Sequence, residues 1–203
     1  MKAMTLAAAI AATAGLASAQ TIFDNGQFGA NISSVGGASG SDIYAQSFVA
    51  PADNRIVQFG MWLQGGGSGA PAVRIDLWGT DGNGQADENN VLVAGTTHQG
   101  DLVDLTRIDT FTSYDLVPGE TYWIVINGLI DQQSSGSYFS TWDNGTNTIP
   151  SGHMDWSNDL GNSWSGGIAN GDWGIYASFV PVPAPASAGL LALGGLTAMR
   201  RRR

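Results

Sequence analysis

The sequence predicts an all-β chain, an antiparallel β-sandwich of jelly-roll type, and three observations carry that expectation. Apolar residues in the body recur with a period of two rather than 3.6. Turns rich in glycine and asparagine separate the alternating segments, and no amphipathic helical stripe intervenes. Eight or more short strands of this kind close a core by packing two sheets face to face. No fixed-period repeat is present, which disfavours a propeller or a solenoid.

Taken in order, residues 1–19 open with Lys2, continue through an apolar run from Met4 to Leu16, and end in Ala17-Ser18-Ala19. A charged start, an apolar middle and a small-x-small site make a secretory signal peptide, with cleavage after Ala19 and a mature chain starting at Gln20. Residues 20–182 then form the body, about 160 residues, enough for one domain with a sizeable core.

Within the body, Val57, Phe59, Met61 and Leu63 fall on one face of a strand. Val73, Ile75 and Leu77 fall on one face of the next, with Arg74 and Asp76 pointing the other way. Tyr122, Ile124 and Ile126 repeat the device between Pro118-Gly119 and Asn127-Gly128. Trp173, Ile175, Ala177 and Phe179 form a last strand. Weaker strand signals run over Ile43 to Val49, Val91 to Ala94, Arg107 to Tyr114, Tyr138 to Trp142 and His153 to Trp156. The turns between them are Gly65-Gly66-Gly67, Asp81-Gly82-Asn83-Gly84, Asp143-Asn144-Gly145 and Gly166-Gly167.

All seventeen acidic residues lie between Asp24 and Asp172, whereas Arg55, Arg74 and Arg107 are the basic residues of the body, leaving fourteen negative charges in excess. Such a surface disfavours nucleic acid and anionic membrane faces. Cysteine is absent, so no disulfide, thiolate zinc site or iron–sulfur cluster stabilises the body, and its stability must come from packing.

Residues 183–203 carry the motif Pro183-Ala184-Pro185, an apolar run to Met199 and the block Arg200, Arg201, Arg202 and Arg203. As a helix the fifteen residues from Pro185 reach roughly 22 Å, short of the roughly 30 Å hydrocarbon core. Four arginines then stop translocation and stay on the cytoplasmic side. A short proline motif, a brief apolar segment and a terminal arginine cluster together resemble the PEP-CTERM protein-sorting signal, although the usual Pro-Glu-Pro reads Pro183-Ala184-Pro185 here. The resemblance implies recognition and removal by a membrane protease of the exosortase type. The alternative is an ordinary tail anchor.

The body in turn resembles the choice-of-anchor domains found with such tails. The likeness rests on Tyr44-Ala45-Gln46-Ser47-Phe48, on Val73 to Trp78, on Pro118 to Ile126 and on Trp173 to Phe179. It implies a fold, and it supplies no catalytic residues.

Two stretches carry candidate chemistry. In the loop from Asp81 to Glu88, the oxygen-bearing Asp81, Asn83, Gln85, Asp87 and Glu88 make a candidate calcium site, since calcium takes six to eight oxygen ligands. The loop departs from the EF-hand pattern, because Ala86 stands at the sixth position and Leu92 at the twelfth, and a polar hairpin connection is the preferred reading. No other cofactor is expected. The second stretch is glycine-rich and contains Trp142, Trp156 and Trp164 between Ser140 and Gly171. Flat indole faces beside Asp and Asn suit stacking on sugar rings, with packing between the sheets as the alternative role. His98 and His153 stand without a Gly-x-Ser-x-Gly turn, a His-Glu-x-x-His motif or a cysteine.

The expectation is therefore an exported, non-catalytic protein of the cell envelope or extracellular matrix, acidic and transiently anchored in the membrane through its C-terminal segment. Its expected partners are a sorting protease and extracellular polysaccharide. A carbohydrate-binding module using the loop tryptophans is the second expectation. A secreted hydrolase, the third, needs two carboxylates facing each other across a cleft.

Overall fold

The computed structural model describes residues 20–26, 31–38, 42–144, 149, 151–168 and 171–182. The expected signal peptide, with Ala17 and Ala19, and the expected sorting segment from Pro183 to Arg203 lie outside the described residues. Gln20 is the first residue described.

Among the described residues the regular structure is all strand apart from one short 3-10 turn, Gly67–Gly69. The strands are β1 (Thr21–Asp24), β2 (Asn31–Val35), β3 (Ile43–Val49), β4 (Arg55–Gly65), β5 (Val73–Thr80), β6 (Ala86–Val93) and β7 (Thr97–His98). They continue with β8 (Leu102–Asp115), β9 (Thr121–Asn127), β10 (Tyr138–Asn144), β11 (Met154–Ser157), β12 (Gly171–Trp173) and β13 (Ile175–Val180). Two antiparallel sheets result. The first runs β1-β13-β4-β10-β12, with β8 on β4 and β2 on β10; the second runs β11-β3-β9-β5-β6, with β7 on β5.

Alternation explains why the sheets face each other. Phe59, Met61 and Leu63 of β4 and Ile175, Ala177 and Phe179 of β13 meet Val73, Ile75 and Leu77 of β5 and Ile124 and Ile126 of β9 in one buried cluster. Each of these side chains larger than alanine contributes roughly 1.5–3 kcal/mol when removed from water.

The β4 face differs from its expected form at one end. Ile56 is fully buried and Val57 only half-buried, because Phe179 pairs with Ile56 and Ser178 with Gln58, leaving Val57 without a partner on β13. The extra residue of this bulge moves the residue before it onto the core face. Trp173 is core as expected, but Gly174 separates it from β13, so it belongs to β12, which pairs with β10. Asp143 and Asn144 are not a turn. They lie in β10, opposite Asp172 and Gly171. The glycine turn after β4 is confirmed, with positive φ at Gly65, Gly66 and Gly67, a backbone region that side chains rarely enter.

The outer face of the second sheet is covered rather than bare. Ile43, Ala45, Trp78, Trp123 and Val125 form a second buried cluster, against which Leu129 and Trp164 pack. Asp76 points to this face, as its spacing predicts, and is nevertheless fully buried. It accepts hydrogen bonds from Arg74 Nε (2.5 Å) and Nη2 (2.7 Å), Gly95 N (2.9 Å) and Asn127 Nδ2 (3.0 Å), which offset the cost of burying its charge.

Candidate functional site: an aromatic cleft between the sheets

At one end of the sandwich, β10 and β12 of the first sheet and β3 and β11 of the second enclose a cleft of about 330 Å³. The register places it. Trp156 pairs with Tyr44 across β11 and β3, while Trp142 pairs with Trp173 across β10 and β12. Tyr44, Trp173 and Met154 are almost wholly buried and make the floor; Trp142 and Trp156 are half-buried and make the rim, with Ser33 and Ile168 completing the lining.

The floor is fixed tightly. Tyr44 stacks on Trp173 with centroids 4.1 Å apart, its hydroxyl donates to the Ser34 carbonyl at 2.5 Å, and Trp173 Nε1 donates to the Asp155 carbonyl at 3.2 Å. The amide of Trp173 donates to Gln46 Oε1 at 2.8 Å, and Gln46 in turn donates to the buried Asp172 at 3.0 Å. Trp142 stands edge-on to Trp173 and donates through Nε1 to Ser33 Oγ at 3.1 Å. Large rings with few convergent polar groups are what a small-molecule site offers.

A second, shallower depression of about 190 Å³ adjoins the cleft and shares Trp156 with it. Its other lining residues are Asn158, Asp159, Ser163, Trp164 and Ser165. Trp164 is held from behind by Trp123, with centroids 6.3 Å apart and planes 26° from parallel. Asp159 accepts from Ser163 Oγ (2.6 Å), Ser163 N (2.8 Å) and Ser157 Oγ (2.9 Å), and these donors, the Ser163 hydroxyl foremost, hold its carboxyl below the ordinary carboxylate range. Asp155 is buried beneath this segment and ties it to β11, accepting from the Trp156 amide and the Ser165 hydroxyl.

No family model matches the chain, and no curated protein matches it.

The three tryptophans expected in loops therefore divide differently. Trp142 lies in β10 and Trp156 in β11; of the three, Trp164 is the one in a loop. Trp142 and Trp156 come together across the cleft, and Trp156 and Trp164 across the groove. Tyr44, Trp173 and Met154 were not singled out as site residues by the sequence. Of the three, Trp173 was legible as a core residue from its alternation with Ile175 and Phe179, but not which strands would bring it against Tyr44 and Met154.

The other candidates remain apart from this surface. Asp81 closes the β5–β6 hairpin: its Oδ1 accepts from the amides of Asn83 and Gln85, each at 2.8 Å, and these bonds, that of Gln85 first, keep its carboxyl below the usual range. Asp87 and Glu88 belong to β6, and Asp87 accepts from the Asn89 amide at 2.9 Å. Among the described residues no three His, Cys, Asp or Glu side chains gather closely enough to hold a metal ion. His153 Nδ1 lies 3.1 Å from the hydroxyl of the buried Ser47. His98 is half-buried against Tyr138, ring centroids 5.6 Å apart.

Proposed function

We propose that the chain is an exported, non-catalytic β-sandwich protein of the cell envelope or extracellular matrix whose body binds carbohydrate at the Trp142–Trp156–Trp164 surface. In this proposal residues 1–19 are a signal peptide and the sandwich is of jelly-roll type. Residues 183–203 are a PEP-CTERM-like signal with a short transmembrane helix, handed to an exosortase-type protease.

One observation carries the binding assignment: two half-buried indoles from different sheets flank an open cleft, next to a groove offering a carboxylate, an amide and hydroxyls. A sugar ring presents an apolar C–H face and a polar rim, and such a surface meets both. The described cleft lining supplies aromatic faces and one serine hydroxyl rather than paired carboxylates, so binding is favoured over hydrolysis.

The test is retention of the full chain on insoluble polysaccharides together with a glycan array. The expected result is retention on at least one polysaccharide, reduced at least about tenfold by Trp156→Ala. Failure to bind any glycan would remove the carbohydrate assignment.

A further inference from the structure

We propose that the bound glycan is electrically neutral and engages two consecutive sugar units, one in the cleft and one in the groove, with Trp156 as the wall between them. This rests on the carbohydrate assignment above and adds charge and length to it.

Length follows from the two depressions. The cleft, at about 330 Å³, is at the lower end of small-molecule pockets, about 300–1,000 Å³, and has room for a single ring. The groove, at about 190 Å³, is too shallow to enclose one and offers instead a platform. Because Trp156 lines both, a ligand filling the cleft and continuing past this indole arrives over Trp164, whose position is fixed by Trp123 behind it. The two sites also differ in chemistry. The cleft is nearly all aromatic and apolar, whereas the groove presents Asn158, Asp159, Ser163 and Ser165. Asn158 is exposed and makes no hydrogen bond among the described residues, so its amide is available to a hydroxyl of the second unit.

Charge follows from how the body uses its cations. Arg55, Arg74 and Arg107 are its only arginines and it has no lysine, and each arginine is bonded to an aspartate: Asp115, Asp76 and Asp109 respectively. Among the described residues nothing basic lines the cleft or the groove, and Asp159 is ionised at neutral pH. A uronate or sulfated chain would meet like charge without a compensating cation.

The test is calorimetric titration of the full chain with cello-, xylo-, manno- and chito-oligosaccharides of one to six units, and with oligogalacturonates. For the series that binds, affinity should rise about tenfold from one unit to two and then level off. Trp164→Ala should remove that rise. Because Trp164 also packs on Trp123, Asn158→Ala serves as the second variant and should reduce the rise without altering the melting temperature. Affinity independent of length, a rise unaffected by both variants, or oligogalacturonates binding as tightly as neutral chains would each overturn the inference while leaving carbohydrate binding intact. Absence of any binding would overturn both.

Discussion

Tyr44 and Trp173 lie stacked 4.1 Å apart with planes 16° from parallel, and through them β3 of one sheet is joined to β12 of the other beneath the aromatic cleft. The stack is both core and floor. Tyr44→Ala should therefore cost about 3–5 kcal/mol, the range for losing a large buried aromatic. Tyr44→Phe keeps the stack and loses the bond to Ser34, about 1 kcal/mol. Urea denaturation of the two variants measures the difference; equal losses would show that the hydroxyl, not the stack, dominates.

Asp76 supplies a second prediction. Asp76→Ala leaves Asn127 Nδ2 and the Gly95 amide without their acceptor and separates Arg74 from its partner. The expected loss is about 3 kcal/mol, at the lower end for breaking a buried pair, because Arg74 remains partly exposed and can turn to water. A shift in denaturation midpoint equivalent to less than about 1 kcal/mol would mean that the pair behaves as a surface ion pair.

These two cases show what was legible in the sequence. Alternation revealed that Val73, Ile75 and Leu77 share a buried face and that Asp76 points away from it, because the side-chain period of a strand is fixed by backbone geometry. It did not reveal that the opposite face would be covered, since Trp78, Trp123 and Trp164 come from three distant segments. The same limit applies to the cleft. Trp142 and Trp156 stood out by residue type, but their companions Tyr44 and Trp173 depend on pairings between β3 and β11 and between β10 and β12 that no local pattern encodes. Val57 failed for a different reason: a single bulge residue reverses the inward–outward parity of everything before it. Strand β7, with two residues, is below the length at which alternation can be seen, and β1, with four, is at its lower limit.

The pH dependence follows from carboxyls held below their ordinary range at Asp159 by Ser163, at Asp131 by Ser134 and at Asp81 by the Gln85 amide. For a group whose folded pKa is depressed, the stabilisation is complete above the unfolded value, about 3.9, and is lost as pH falls through the folded one. These three carboxyls should thus add no pH dependence between about 5 and 7, and the fold should weaken below about 4 as they are protonated. The Asp159→Asn variant should show a smaller acid-induced loss than the parent when melting temperature is followed against pH; an unchanged profile would dissociate Asp159 from the effect.

Sorting gives a prediction independent of the sandwich. If residues 183–203 act as a transient anchor that is removed, deleting Pro183 to Arg203 should send the chain directly to the medium or periplasm, and replacing the four arginines with serine should impair retention before processing. Mass spectrometry of the mature chain reports the outcome. A C-terminus near Pro183 supports processing, whereas an intact Arg203 in membranes would establish an ordinary tail anchor.

The most direct test of the carbohydrate site is nuclear magnetic resonance of the indole N–H groups, because the seven tryptophans report separately on the cleft, the groove and the remainder of the fold. On titration with a glycan that the chain retains, the resonances of Trp142, Trp156 and Trp164 should move together, with Trp156 moving most. Trp62, stacked with Arg107 on the first sheet, and the buried Trp78 should stay in place. Movement at Trp62 with Trp142, Trp156 and Trp164 unchanged, while glycan is demonstrably bound, would contradict the assignment of the site.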